Sequence, residues 1–267
     1  AFVVAKNATN CTPSWGTYHD IRGAADDFLK TKIDSLRSLG GDVMISFGGA
    51  ANTELAMSTT NVDSLEAAYR KVIDSYSLRM VDFDIEGAAV ADTRSIDRRS
   101  KALASLQRHL ASAGRTVKIW FTLPVLPSGL DANGLAVVKS ALANGVDLAG
   151  VNIMAMDYGA WAAPHPADSM GQYAIMAARN LFAQLKATYG TANKSRTDAA
   201  LWSMVGITPM IGVNDVATEI FRLSDAFEVA AFARSQGAGM LGFWSANRDA
   251  ACPNGTSAWA ATDCSSI

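Results

Sequence analysis

From Val81 to Gly87 the chain reads Val-Asp-Phe-Asp-Ile-Glu-Gly, with three carboxylic acids two residues apart in an otherwise apolar, β-branched run. Successive side chains of a strand point to opposite faces, so Asp82, Asp84 and Glu86 share one face and Val81, Phe83 and Ile85 the other. Neighbours in such a row lie roughly 6.5–7 Å apart. Acids that close cannot all stay comfortably ionised, so at least one carboxyl is raised and a proton is held or shared. Separated carboxyl pKa values are what general acid catalysis requires. Two plainer readings compete. Alternating acids often mark a solvated strand face, but Met80 and the apolar opposite face leave little else here to keep this strand wet. The order Asp82, Asp84, Glu86, Gly87 also imitates the start of a calcium loop, whose twelfth position must be a bidentate Glu and is Thr93 here. No metal or cofactor is expected.

The elements that must position this row alternate along the whole chain. Strand-like runs are expected at 2–5, 43–47, 80–86, 117–123, 150–157, 204–211 and 240–244. Helical periods are expected at 24–39, 64–76, 96–113, 134–143, 170–189 and 226–235. Gly40-Gly41 stops the first helix, and Asp63-x-x-Glu66 reads as a capping box before the second. Regular βα alternation predicts an α/β fold, a (β/α)8 TIM barrel forming a single catalytic domain over 1–267. Seven strands leave the first one apparently missing, which would precede Ala1. No GxGxxG fingerprint or P-loop follows the first strand, which argues against an open dinucleotide fold. Barrel active sites gather at the carboxyl ends of strands, where Glu86, Ser46-Phe47-Gly48-Gly49, Asp157-Tyr158-Gly159 and Phe243-Trp244-Ser245 all fall.

Composition narrows the partners. The 267 residues are 49% hydrophobic and 18% charged, with a net charge of −2, so a large core is affordable and no basic footprint for nucleic acid or anionic membranes exists. No apolar run approaches the ~20 residues of a membrane span, and no signal sequence is recognisable at Ala1. A disulfide between Cys252 and Cys264 is expected to close a Gly-, Asn-, Ser- and Thr-rich tail, favouring an exported protein; Cys11 is left over. Sequons stand at Asn7, Asn10, Asn193 and Asn254. His19, His109 and His165 have no matched Ser or Cys nucleophile, so a triad is not supported.

These residues resemble the glycoside hydrolase family 18 chitinases. The family's catalytic strand carries Asp-x-x-Asp-x-Asp-x-Glu, whose last three acids match Asp82, Asp84 and Glu86, while Arg79 replaces the first. Ser46-x-Gly48-Gly49 resembles its second motif, Met154-Ala155-Met156-Asp157 its Met-x-Tyr-Asp motif, and Trp244 its last-strand tryptophan. Met156 departs from the family tyrosine, so the phenol is expected from Tyr158, two residues on and on the same face. The resemblance implies a secreted, monomeric retaining hydrolase of β-1,4-linked N-acetylglucosamine, with chitin or chito-oligosaccharides as substrate. Glu86 would be the general acid, and the substrate's own acetamido oxygen the nucleophile. Asp84 would steady the acetamide N–H, Asp82 would share its proton, and Asp157 and Tyr158 would orient the acetamide. The plainer reading of Asp157 is a loop-capping Asp. Trp244 would be the stacking floor, against plain core. Ser46, Gly48, Gly49, Met154, Met156 and Met210 would line the substrate site, with Trp15 and Trp161, in rim loops, either at outer subsites or in ordinary loop packing; Trp120, Trp202 and Trp259 are expected to pack. A chitin lectin on the same barrel is the alternative from another class, but lectins of this kind lose the acid that Glu86 supplies. An endo-N-acetylglucosaminidase acting on N-glycans would keep the chemistry and change the substrate.

Overall fold

The computed structural model describes residues 2–23, 28–166, 169–253 and 255–267. The start of the expected 24–39 helix and the Asn254 sequon lie outside the described residues. The chain divides into two compact units, Ala1–Thr122 with Ala136–Ala149, and Leu123–Leu135 with Gly150–Ile267.

In chain order the first unit carries β1 (Phe2–Asn7), β2 (Asn10–Trp15), β3 (His19–Asp20), α1 (Lys30–Ser38), β4 (Ile45–Gly48), α2 (Val62–Ser75), β5 (Met80–Asp84), α3 (Thr93–Ser112) and most of β6 (Lys118–Pro124). Strands β1, β4, β5 and β6 run parallel in that order, while β2 and β3 fold back antiparallel on β1. The apolar face of β5 meets α2. Phe83 stacks on Phe47 at 4.9 Å, and the ring of Tyr69 stands edge-on to both at 4.9 and 5.0 Å. Each fully buried aromatic of this kind contributes about 2–3 kcal/mol, which pins the register and hence the face that Asp82 and Asp84 occupy. Behind this cluster Arg99 of α3 and Glu54 form a buried ion pair at 2.9 Å, with the Tyr69 hydroxyl also on Glu54.

The sequence passes between the units through β6, α4 (Ala132–Ala143) and β7 (Leu148–Ala155). The second unit continues with α5 (Met170–Thr191), α6 (Asp198–Trp202), β8 (Val205–Pro209), β9 (Gly212–Val213), β10 (Ile220–Phe221), α7 (Leu223–Gln236) and β11 (Met240–Leu241). Here β7, β8 and β11 are parallel, and β9 and β10 form a small antiparallel ribbon. Among the described residues no helix is long and apolar enough to cross a membrane.

All seven expected strands exist, and the α/β class is as expected. The hairpin partners β2 and β3 were not expected, because Asn-Cys-Thr-Pro-Ser-Trp lacks both alternation and a free N–H at Pro13. The capping box is also corrected. Asn61 caps α2 by accepting the Ser64 N–H, and Glu66 turns inward to His109 Nδ1 at 2.5 Å. The Cys252–Cys264 disulfide is present, and Cys11 is a half-buried free thiol.

Candidate active site

In the first unit the acid row is built by the register of β4, β5 and β6. Ser46 stands opposite Asp82 on one side and Asp84 stands opposite Thr122 on the other. The Ser46 hydroxyl donates to Asp82 Oδ2 at 2.6 Å and the Thr122 hydroxyl to Oδ1 at 2.8 Å. Both bonds favour the carboxylate, yet burial outweighs them and pushes Asp82 up to about 6. Asp84 has no such help: among the described residues its Oδ1 is buried without a hydrogen-bond partner. Burial, then the charges of Glu86 and Asp82, push it up to about 8. Glu86 lies two residues past the end of β5 in extended backbone, and the pairing continues toward it through Ile85 N–H on the Thr122 carbonyl at 3.0 Å. It is half-buried, and burial raises its carboxyl too. The row therefore retains a proton near neutral pH.

Glycine is required beside this row. Gly48 has φ +107°, and a Cβ there would lie 2.2 Å from the Asp84 carbonyl oxygen; Gly49, at φ +96°, donates its N–H to that same oxygen at 3.1 Å. The close approach of β4's end to Asp84 is thus possible only without side chains. Trp15, expected at an outer subsite, is corrected: it is 3% exposed and its indole N–H donates to the Tyr76 hydroxyl at 2.9 Å. An indole with both faces packed has no surface for a sugar.

In the second unit the chain leaves β7 through half-buried Met154 and Met156 into Asp157, which takes the left-handed conformation at φ +53°. Two acids clasp this turn to the segment 214–219. Asp157 Oδ1 accepts the Val216 N–H at 2.8 Å, and Glu219, 1% exposed, accepts the N–H groups of Tyr158 at 3.1 Å and Gly159 at 2.7 Å. The side chain of Tyr158 is buried against Tyr173, its hydroxyl has no hydrogen-bond partner among the described residues, and burial followed by Glu219 pushes the phenol up. It stays a neutral hydroxyl. Burial also raises Asp157 and Glu219, opposed by the backbone N–H groups they accept. Sequence reasoning missed Glu219, because nothing in its spacing separates it from an ordinary surface acid.

Trp244 follows β11 and is 44% exposed, its backbone bonded to Pro209 and Ile211. Met210, paired with it through an isolated bridge, is buried. Trp161 is 77% exposed. Trp120 is buried and Trp202 stacks on Phe182 at 4.4 Å, as packing requires, but Trp259 is 73% exposed and its expected packing role is corrected.

Chemically, the first unit offers a proton donor beside a second acid held neutral by its surroundings. No family model matches the sequence. The chain is 47% identical over 261 residues to a probable bifunctional chitinase/lysozyme of Escherichia coli, and 46% identical over 255 residues to Endochitinase 11 of Metarhizium anisopliae. These alignments cover 96% and 93% of this chain but only 28% and 47% of those relatives, so the chain spans less than half the length of either. The crystal structure of the catalytic domain of a hyperthermophilic chitinase from Pyrococcus furiosus superposes with a TM-score of 0.84 at 33% identity, over 100% of this chain and 79% of the other. A GH18 chitinase from Pseudoalteromonas aurantia, 18% identical, shares the fold at a TM-score of 0.57, over 92% of this chain and 84% of its own.

Proposed function

The chain belongs to the glycoside hydrolase family 18 chitinases, and from that premise we propose that it hydrolyses the β-1,4 bonds of chitin and chito-oligosaccharides with retention. The observation that carries this reading is the row itself: Glu86 raised by burial, beside an Asp84 pushed up to about 8. Glu86 gives its proton to the glycosidic oxygen as the acetamido oxygen of the same sugar attacks the anomeric carbon, and the bond to the leaving sugar breaks. The cyclic intermediate carries a positive charge at its N–H, which Asp84 steadies as a carboxylate once its proton has passed to Asp82. Water, losing a proton to Glu86, then opens the ring at the anomeric carbon and restores the starting configuration.

Trp15 apart, further residues of the expected site have support within their own units, some of them in an indirect role. The neutral, unpartnered Tyr158 hydroxyl and the clasped Asp157 suit an acetamide, and the exposed face of Trp244 suits a pyranose ring. Ser46 acts through Asp82, and Gly48 and Gly49 through the Asp84 backbone. Met154 and Met156 are half-buried at the end of β7, where they are read as lining the substrate, with Trp161 at an outer subsite. We read 1–267 as one catalytic domain, because the whole chain matches one solved catalytic domain. Export is supported by the disulfide. A monomer is the simplest form, since the proton chemistry draws on one chain only.

The test compares wild type with Glu86→Gln on chito-oligosaccharides, reading the released anomer and binding in the same samples. Turnover is expected to fall about 10²–10⁴-fold with binding kept. Binding without turnover in the wild type would identify a lectin instead.

A further inference from the structure

Within the second unit the loop closed by Cys252–Cys264 presents Trp259 to solvent, although the backbone on either side of Trp259, at Ser257 and Ala261, is hydrogen-bonded. Val213 N–H bonds the Ser265 carbonyl at 3.0 Å, Ser265 N–H the Ala250 carbonyl at 3.0 Å, and Ser257 N–H the Ser266 carbonyl at 3.2 Å. The buried Arg248 side chain joins the Ala261 carbonyl to those of Ile211 and Val213. Gly212 lies so close under Ser265 that a Cβ would meet its carbonyl at 1.8 Å. Trp259 N–H is in turn held by Ser257 Oγ at 3.2 Å. A mobile tail ending in an exposed indole needs no explanation; an indole left uncovered on a backbone held in this way does.

We propose that Trp259 is a second sugar-binding platform, on which one N-acetylglucosamine ring of a chitin chain stacks. The inference rests on the hydrolase reading above for the identity of the polymer. A pyranose offers an apolar C–H face that matches one indole, and a backbone held before binding leaves only the two side-chain torsions of the indole to be ordered when the sugar arrives. The surroundings favour a sugar over a protein partner. Near it in sequence, Thr256, Thr262 and Asp263 are exposed and polar, which supplies hydrogen-bonding groups for hydroxyls and an acetamide.

The experiment measures retention of the full chain on insoluble chitin particles for wild type, Trp259→Ala and Trp259→Phe, with thermal melting of each and chitotetraose turnover by the wild type. Retention is expected to fall roughly three- to tenfold in Trp259→Ala, to recover in Trp259→Phe, and to change without a shift in melting temperature. Unaltered retention in Trp259→Ala overturns the platform, and so does a loss matched by a lower melting temperature, which would make Trp259 a packing residue. Wild-type binding that depends on Trp259 without chitotetraose turnover supports the platform and sinks the hydrolase reading. Turnover with retention indifferent to Trp259 does the reverse.

Discussion

The acids of β5 and the acids of the 157–219 clasp are all at least half-buried but differ in what their oxygens meet. Asp82 faces two hydroxyls, which can donate or accept, beside the Phe83 N–H, and Asp84 keeps one oxygen with no partner among the described residues. Asp157 and Glu219 face backbone N–H groups, which can only donate. Hydroxyl or empty surroundings let a carboxyl gain and lose a proton at small structural cost. Backbone donors favour the charged form and hold the carboxylate in place, even where burial still raises it. The first region is thereby suited to moving protons, and the second to holding a turn whose residues point where they must.

The sharpest way to break that contrast is to neutralise one acid from each region. Asp84→Asn is expected to cut kcat about 10²–10³-fold, because the amide cannot steady a positive N–H as an anion does. The same change should stabilise the fold. Asp84 is lifted to about 8 from an unfolded value near 4, so its favourable protonation is complete below pH 4 and is lost as pH rises through 8. An amide suffers no such loss, and the gap in melting temperature between variant and wild type should widen from pH 4 to pH 8. A variant less stable than wild type at pH 8 would mean that Asp84 has a structural partner. Glu219→Gln should behave in the opposite way. One of its two N–H partners must then face an NH2 group, at a cost of about 2–3 kcal/mol and a fall in Tm of roughly 5 °C, with kcat changed less than about tenfold. If kcat fell as far as in Asp84→Asn, the clasp would belong to the chemistry rather than to its support.

What was legible in the sequence follows the same line. The β5 row is local: period-two spacing places Asp82, Asp84 and Glu86 on one face whatever the rest of the chain does, and the seven strands stand out because each is a compact apolar run. The small-residue turn at Gly48-Gly49 was readable as a motif, but its reason, contact with the Asp84 carbonyl, is tertiary. Glu219 is sixty-one residues from the amide of Tyr158 that it holds, and a contact of that span leaves no periodic trace. Tryptophan was the least legible type. Trp15 lies inside and Trp259 outside, opposite to expectation, because the fate of an indole depends on whether a partner such as the Tyr76 hydroxyl arrives from a distant segment. Pro13 concealed β2 in a similar way, since a strand that returns on β1 draws its definition from β1.

The smallest expected effect sharpens the first region alone. The charge of Asp82 is one of the causes that raise Asp84, ranked after burial and Glu86. Asp82→Asn removes that charge and leaves burial in place, so the limb of the kcat/KM profile set by Asp84 should move to lower pH by less than about one pH unit. The fold should tolerate the change, because the Ser46 or Thr122 hydroxyl can rotate to accept from the new NH2 group. Stability gives an independent readout. Asp82, raised to about 6, contributes its protonated-state stability below pH 4 and loses it as pH rises through 6. The variant should therefore gain on wild type across that interval and hold a constant lead above it. A limb that stayed put while the stability lead appeared would show Asp82 titrating independently of Asp84, and the row would then be three neighbouring acids rather than one proton-sharing unit.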